Sequence, residues 1–225
     1  SLTARLLQIA NSAYFGFSRQ VYSVEEAVQL LGVGVIQSLA LAVPLFTSYD
    51  RKKCPSFPID QTWDHSASVA ALACRIYNEY LHDTHRAEQA FAAGIMHDIG
   101  KLILADKLPE TYNQILLEAK ALNVPVHQVE HQKLGATHAE VGAYLLALWG
   151  LPVPLIEALA GHHTPRRCNT TTLCLAGVVH LANALQHSEG LHPDLQGSPV
   201  DTDFLKNTGL DVHYEKWRTS LQNQD

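Results

Sequence analysis

His97 and Asp98 stand side by side in the run Gly94-Ile95-Met96-His97-Asp98-Ile99-Gly100-Lys101. An imidazole and a carboxylate within one turn form a mixed nitrogen and oxygen donor set that suits a divalent transition metal. The dipeptide alone decides little, because an interior histidine with its hydrogen bonds met, beside an aspartate orienting nearby backbone, looks the same in sequence. The metal reading sharpens because His65, His138 and the pair His162-His163 also fall at helix ends or on a helix that could face a common cleft. Four separate segments converging on one cation is a feasible arrangement for a helical bundle.

Each of these residues carries an expectation. His138 sits at a helix start, where the positive end of the dipole disfavours protonation and suits a neutral ligand. Neighbouring helical residues point about 100° apart, so His162 is expected to face the site more directly than His163. Lys101 reads either as a contact for a phosphate oxygen or as a solvated lysine, and Arg166 and Arg167 as surface charges. His82, His85, His127, His131, His187, His192 and His213 read as turn or surface residues.

Helices must position these groups, because helical periodicity dominates and no alternating run long enough for a strand competes. Leu2, Leu6, Leu7, Ile9 and Ala10 form an apolar stripe already under way at the start; with a first residue other than Met, this points to a chain that continues upstream. Ser23 with Glu26 is a capping-box signature for a helix that stops at Gly32, and another helix follows through Val35, Ile36, Leu39, Ala40 and Val43. Residues 50–60 gather charge and two prolines, which divides the chain into an N-terminal helical lobe (1–50) and a main helical body (51–225).

In that body a long helix is expected over 61–81, then an apolar segment over 87–104 carrying His97-Asp98, then a helix over 109–122 with Pro109 in its first turn. Thr137 and Glu140 make a second capping box, opening a helix through Val141, Tyr144, Leu145, Leu148 and Trp149, whose apolar side chains are expected in the core. Pro152 starts a helix ending near Gly161, a further helix over 172–186 carries His180 and Asn183, and 188–200 reads as a loop before short helices near Phe204 and Trp217.

The chain has 225 residues, 47% of them hydrophobic, enough for a substantial core without disulfide staples. The net charge of -6 disfavours a broad nucleic-acid surface, so DNA binding is not expected. Four scattered cysteines without a Cys-x-x-Cys pair signal neither a disulfide framework nor a zinc ribbon. With no long apolar run and no signal-like start, the expectation is a cytoplasmic protein that makes no use of a membrane.

Taken together, Trp63-Asp64-His65-Ser66, Ala93 through Lys101, Thr137-His138-Ala139-Glu140-Val141-Gly142 and His162-His163 resemble the HD superfamily of metal phosphohydrolases in order and spacing. The N-terminal stretches Leu2-Thr3-Ala4-Arg5-Leu6-Leu7, Asn11-Ser12-Ala13-Tyr14-Phe15 and Ala27-Val28-Gln29-Leu30-Leu31-Gly32 resemble the lobe that marks HDOD domains. The resemblance implies an all-α, HD-like bundle with a packed N-terminal helical lobe, used in bacterial signalling and often joined to a receiver domain. It also implies a metal site from His65, His97, Asp98, His138, His162 and His163, completed in catalytic HD-GYP relatives by a later aspartate.

Here that later position is Asn183, Gln61 stands one turn before His65 where some enzymes place a carboxylate, and the Gly-Tyr-Pro extension is missing. A neutral amide offers one weak carbonyl ligand and cannot bridge two cations, which puts a two-metal site in doubt. The sequence therefore points to a regulatory, non-catalytic output domain that binds a partner protein or small ligand through a degenerate HD cleft. One divalent transition metal (Fe, Mn, Zn or Ni) or none would occupy it. The alternative is a metal-dependent phosphohydrolase acting on a nucleotide or cyclic dinucleotide.

Overall fold

The computed structural model describes residues 2–11, 20–168, 172–188 and 198–222, and among them every regular element is a helix. Ser12-Ala13-Tyr14-Phe15, His192 and most of the expected loop lie outside the described residues.

The N-terminal lobe contains α1 (Leu2–Ala10), α2 (Val24–Leu31) and α3 (Val33–Ser48). Ser23 caps α2 by accepting from the Glu26 amide, as the capping signature predicts, and Gly32 ends it. The proline-containing stretch leads into α4 (Ile59–Leu81), two residues earlier than expected. The expected apolar segment is split into α5 (Thr84–Met96) and α6 (Ile99–Lys107), with His97 and Asp98 at the break. α7 (Pro109–Leu122) matches its expected span, with Pro109 at the first turn.

α8 (Val126–Leu134) is an element that periodicity does not announce, since its sequence VHQVEHQKL carries little apolar patterning. α9 (His138–Leu148) opens on the complete capping box of Thr137 and Glu140. α10 (Val153–Gly161), a 3-10 turn over Pro165–Cys168, α11 (Leu175–Ser188), α12 (Thr202–Thr208) and α13 (Asp211–Gln222) complete the elements among the described residues.

α4, α5 and α11 form the centre of the bundle, with Val69, Leu72, Ile76, Phe91, Ile95, Val178, Val179 and Leu181 buried among them. The N-terminal lobe joins this core through α3, which packs on α5, and through the edge-on contact of Phe46 with Trp63, centroids 5.1 Å apart. Two glycines set the spacing near the histidines. A Cβ on Gly94 would stand 2.5 Å from the Ala70 Cα, so α5 can press against α4 only without a side chain there. A Cβ on Gly100 would stand 1.9 Å from the His138 carbonyl oxygen, which fixes the α6 to α9 crossing.

One expectation is overturned on α9. Tyr144 is 68% exposed, Leu148 67% and Trp149 44%, so these residues are not core. The helix buries Ala139, Gly142, Ala143 and Leu146, with small residues where it crosses α6, because the close approach at Gly100 leaves no room there for large side chains.

Among the described residues no single helix is long and apolar enough to cross a membrane. α2 and α3 pass such a test only as a joined pair, and they meet at 119°.

Candidate metal centre

The break between α5 and α6 delivers His97 and Asp98 to the middle of the bundle, and the tight α6 to α9 crossing brings His138 to them. His65 comes from the second turn of α4, and His162 and His163 follow the end of α10. All six sequence-selected residues are gathered here, in two adjoining trios: His65, His97 and Asp98, then His138, His162 and His163. In each trio the donor atoms lie within 4.8 Å of one another. The trios meet at Asp98, whose Oδ1 is 3.1 Å from His138 Nε2 and whose Oδ2 is 3.4 Å from His97 Nε2.

The backbone determines which ring nitrogens face inward. His97 Nδ1 is 2.7 Å from the Gly94 carbonyl and His162 Nδ1 2.7 Å from the Leu159 carbonyl. A carbonyl oxygen only accepts, so both rings carry their proton on Nδ1 and turn Nε2 into the cluster as a lone pair. His97 Nε2 and His162 Nε2 are buried without a hydrogen-bond partner, and Asp98 Oδ1 faces only His138 Nε2. Buried polar atoms are nearly always paired, so two orphaned ring nitrogens converging beside a carboxylate oxygen fit a divalent cation better than they fit packing alone.

Glu130, which sequence reading passed over, is fully buried on α8. Its Oε2 accepts from both the His138 amide and His138 Nδ1, each at 2.7 Å, and its Oε1 accepts from the Tyr112 hydroxyl at 2.8 Å. A carboxylate behind a ring nitrogen orients the imidazole and makes it more basic. Burial alone would lower the His138 pKa, but the Glu130 carboxylate, with Asp98 on the other side, holds it above the ordinary histidine value. The helix-dipole expectation for His138 is therefore overridden, because a full charge at hydrogen-bond distance outweighs the partial charge of a helix end.

Burial, then the neighbouring rings, pushes His65, His162 and His163 well below the ordinary value. Burial would likewise raise Asp98, yet His97 and Lys101 hold its carboxyl well below the usual range. Lys101 is neither a solvated lysine nor free to reach outward: it is 8% exposed and its Nζ donates to Asp98 Oδ2 at 2.7 Å.

Asn183 reaches the cluster from α11, where its Oδ1 accepts from His65 Nε2 at 2.9 Å. His162 and His163 both face inward: His162 turns Nε2 into the cluster and His163 Nε2 lies 2.9 Å from His138 Nε2. Two histidines read as surface residues belong here too. His187 packs on His65, centroids 4.6 Å apart, and His127 stacks on His163 at 4.0 Å and 18°. Arg166 pairs at the surface with Asp201 and Asp203, and Arg167 is exposed.

The HDOD domain family model matches residues 1–165. An uncharacterized protein of Treponema pallidum is 26% identical over 167 residues, which are 72% of this chain and only 31% of that protein, so the chain spans about a third of this curated relative. A solved structure from Marinobacter aquaeolei VT8, assigned to signal transduction, superposes with a TM-score of 0.74 at 21% identity, covering 99% of this chain and 50% of that one. The MmoQ response regulator of Methylococcus capsulatus superposes at 0.53 with 26% identity, covering 96% and 82%. With a helical bundle of this shape and the family pattern running over most of its length, the chain belongs to the HDOD domain family.

Proposed function

We propose that this domain is a bacterial, cytoplasmic signal-transduction output module. It would hold one divalent transition metal (Fe, Mn, Zn or Ni) in an HD-derived centre and bind a partner protein or small ligand, with little or no phosphohydrolase turnover. A receiver domain elsewhere in the same protein is one such partner, and a nucleotide is one such ligand.

The observation that carries this reading is the commitment of His65 and one oxygen of Asp98 to protein hydrogen bonds. His65 Nε2–H donates to the neutral Asn183 amide, and Lys101 Nζ donates to Asp98 Oδ2. Asp98 Oδ1 and the inward nitrogens of His97, His138, His162 and His163 remain, and would hold one cation. A bound cation would supply Lewis acidity, and the protein would hold it in a buried pocket where charge interactions are little screened. The centre is closed in on most sides, with His65, His97, Asp98, His138 and His162 each at most 1% exposed, while His163 lines a pocket at the surface.

Elemental analysis of gently purified protein tests this. Wild type is expected to carry up to one transition metal per chain, lost in both His97→Ala and Asp98→Ala. Asn183→Asp restores a carboxylate beside His65 and is expected to raise loading toward two. An empty wild type after metal supplementation would remove the metal from the proposal and leave the binding module.

The orphaned nitrogens of His97 and His162 also favour the phosphohydrolase alternative. Robust metal-dependent hydrolysis of a nucleotide or cyclic dinucleotide, abolished by His97→Ala, would replace the output-module reading with it.

A further inference from the structure

We propose that Ser198, which lies beyond the residues matched by the family model, is a positioning residue of the candidate centre: its hydroxyl fixes the His163 tautomer whose Nε2 lone pair faces the cluster. The inference rests on the metal reading above and concerns which parts of this chain make that centre.

The Glu130 carboxylate accepts from His138 Nδ1–H, so Nε2 is the inward atom of that ring. His163 Nε2 lies 2.9 Å away. Two ring nitrogens facing each other at this distance need something positive between them, either a proton carried by one ring or a cation that both lone pairs face. For both to face a cation, His163 must carry its own proton on Nδ1. That nitrogen needs an acceptor, and Ser198 Oγ stands 3.0 Å from it.

A hydroxyl can accept and donate at once. Ser198 Oγ is also 3.3 Å from His127 Nδ1. Accepting from His163 Nδ1–H and donating to His127 Nδ1 satisfies all three groups in one direction. With no cation the same chain can run in reverse, from His127 through Ser198 and His163 to His138 Nε2. Ser198 thus accommodates both states, and in the loaded state it supplies the outer-sphere acceptor that the Gly94 and Leu159 carbonyls and Glu130 supply to His97, His162 and His138.

Ser198 is held firmly enough to do this. It is 9% exposed, and three residues on the Asp201 amide donates to His180 Nε2 at 2.8 Å, while His180 Nδ1 donates to the His162 carbonyl at 2.9 Å. Arg166 Nε fastens Asp201 Oδ2 at 2.7 Å. The segment from Ser198 to Asp201 is therefore tied to both members of the paired histidines, one through a ring and the other through its backbone.

The test is Co2+ titration of the metal-free chain, followed by calorimetry and by the visible absorption of bound Co2+, for wild type, Ser198→Ala and Ser198→Thr. Ser198→Ala is expected to bind Co2+ about 10- to 100-fold more weakly and to shift the absorption band, as loss of an outer-sphere partner does. Its metal-free melting temperature should fall by only a few degrees, about what one lost hydroxyl bridge costs, and Ser198→Thr, which keeps the hydroxyl, should recover most of the affinity and the band. Wild-type affinity and spectrum in Ser198→Ala would overturn the assignment, as would a loss that Ser198→Thr fails to recover. Failure of the wild type itself to bind Co2+ is a separate result that would overturn the metal reading along with it.

Discussion

Gly100→Ala is expected to lower stability by about 3 kcal/mol or more, a fall of roughly 6–12 °C in melting temperature for a domain of this size, and to empty the candidate metal centre. The new Cβ would meet the His138 carbonyl oxygen at 1.9 Å, its carbon at 2.7 Å and the Gly142 nitrogen at 2.9 Å. All three are backbone atoms, which cannot rotate aside as the end of a side chain can. Relief requires α6 and α9 to separate, and that movement carries His138 away from Asp98, now 3.1 Å apart. Gly142→Ala is the control on the facing helix. The nearest atoms to its Cβ would be the Gly100 nitrogen and an Ile99 methyl at 3.2 Å and a Leu159 methyl at 3.5 Å, so a much smaller loss is expected. Thermal melts of both variants, with metal content measured on the same samples, check the pair; equal melting temperatures would show that the crossing is not as tight as described.

This glycine also explains how much of the site was legible in sequence. The run from His97 to Lys101 is readable because its parts depend on one another: the histidine and aspartate sit at a helix break, and the glycine lets that break reach the start of α9. The start of α9 is equally plain, because Thr137 and Glu140 form a local capping box that needs no tertiary partner. Groups whose meaning comes only from contact were not legible. Glu130 lies on a short polar helix with little apolar periodicity, and nothing in VHQVEHQKL says that this carboxylate rather than His127 or His131 turns wholly inward. Ser198 stands amid Gly, Pro and Ser residues that signal a loop and nothing more. Tyr144 and Trp149 misled in the opposite direction, since large apolar residues on a helix suggest a core face, whereas a close helix crossing buries the small ones.

Glu130 carries the second large effect, and two substitutions separate its structural role from its part in the centre. Glu130→Ala leaves the His138 amide, His138 Nδ1 and the Tyr112 hydroxyl without their buried acceptor. Breaking a buried charge-assisted set of this kind costs about 3–5 kcal/mol, so a marked drop in melting temperature is expected. Glu130→Gln has nearly the same shape, and its carbonyl can keep both bonds from His138 while its amide donates to the Tyr112 oxygen. The hydrogen-bond count survives and only the charge is lost. That charge holds the His138 pKa above the ordinary value against the effect of burial, and the same electron donation would strengthen the ring as a ligand. Glu130→Gln is therefore expected to melt close to wild type yet bind Co2+ about 10- to 100-fold more weakly. If Glu130→Gln binds Co2+ like wild type, the charge of Glu130 adds nothing to His138 as a ligand, and residue 130 acts through the hydrogen bonds that glutamine keeps.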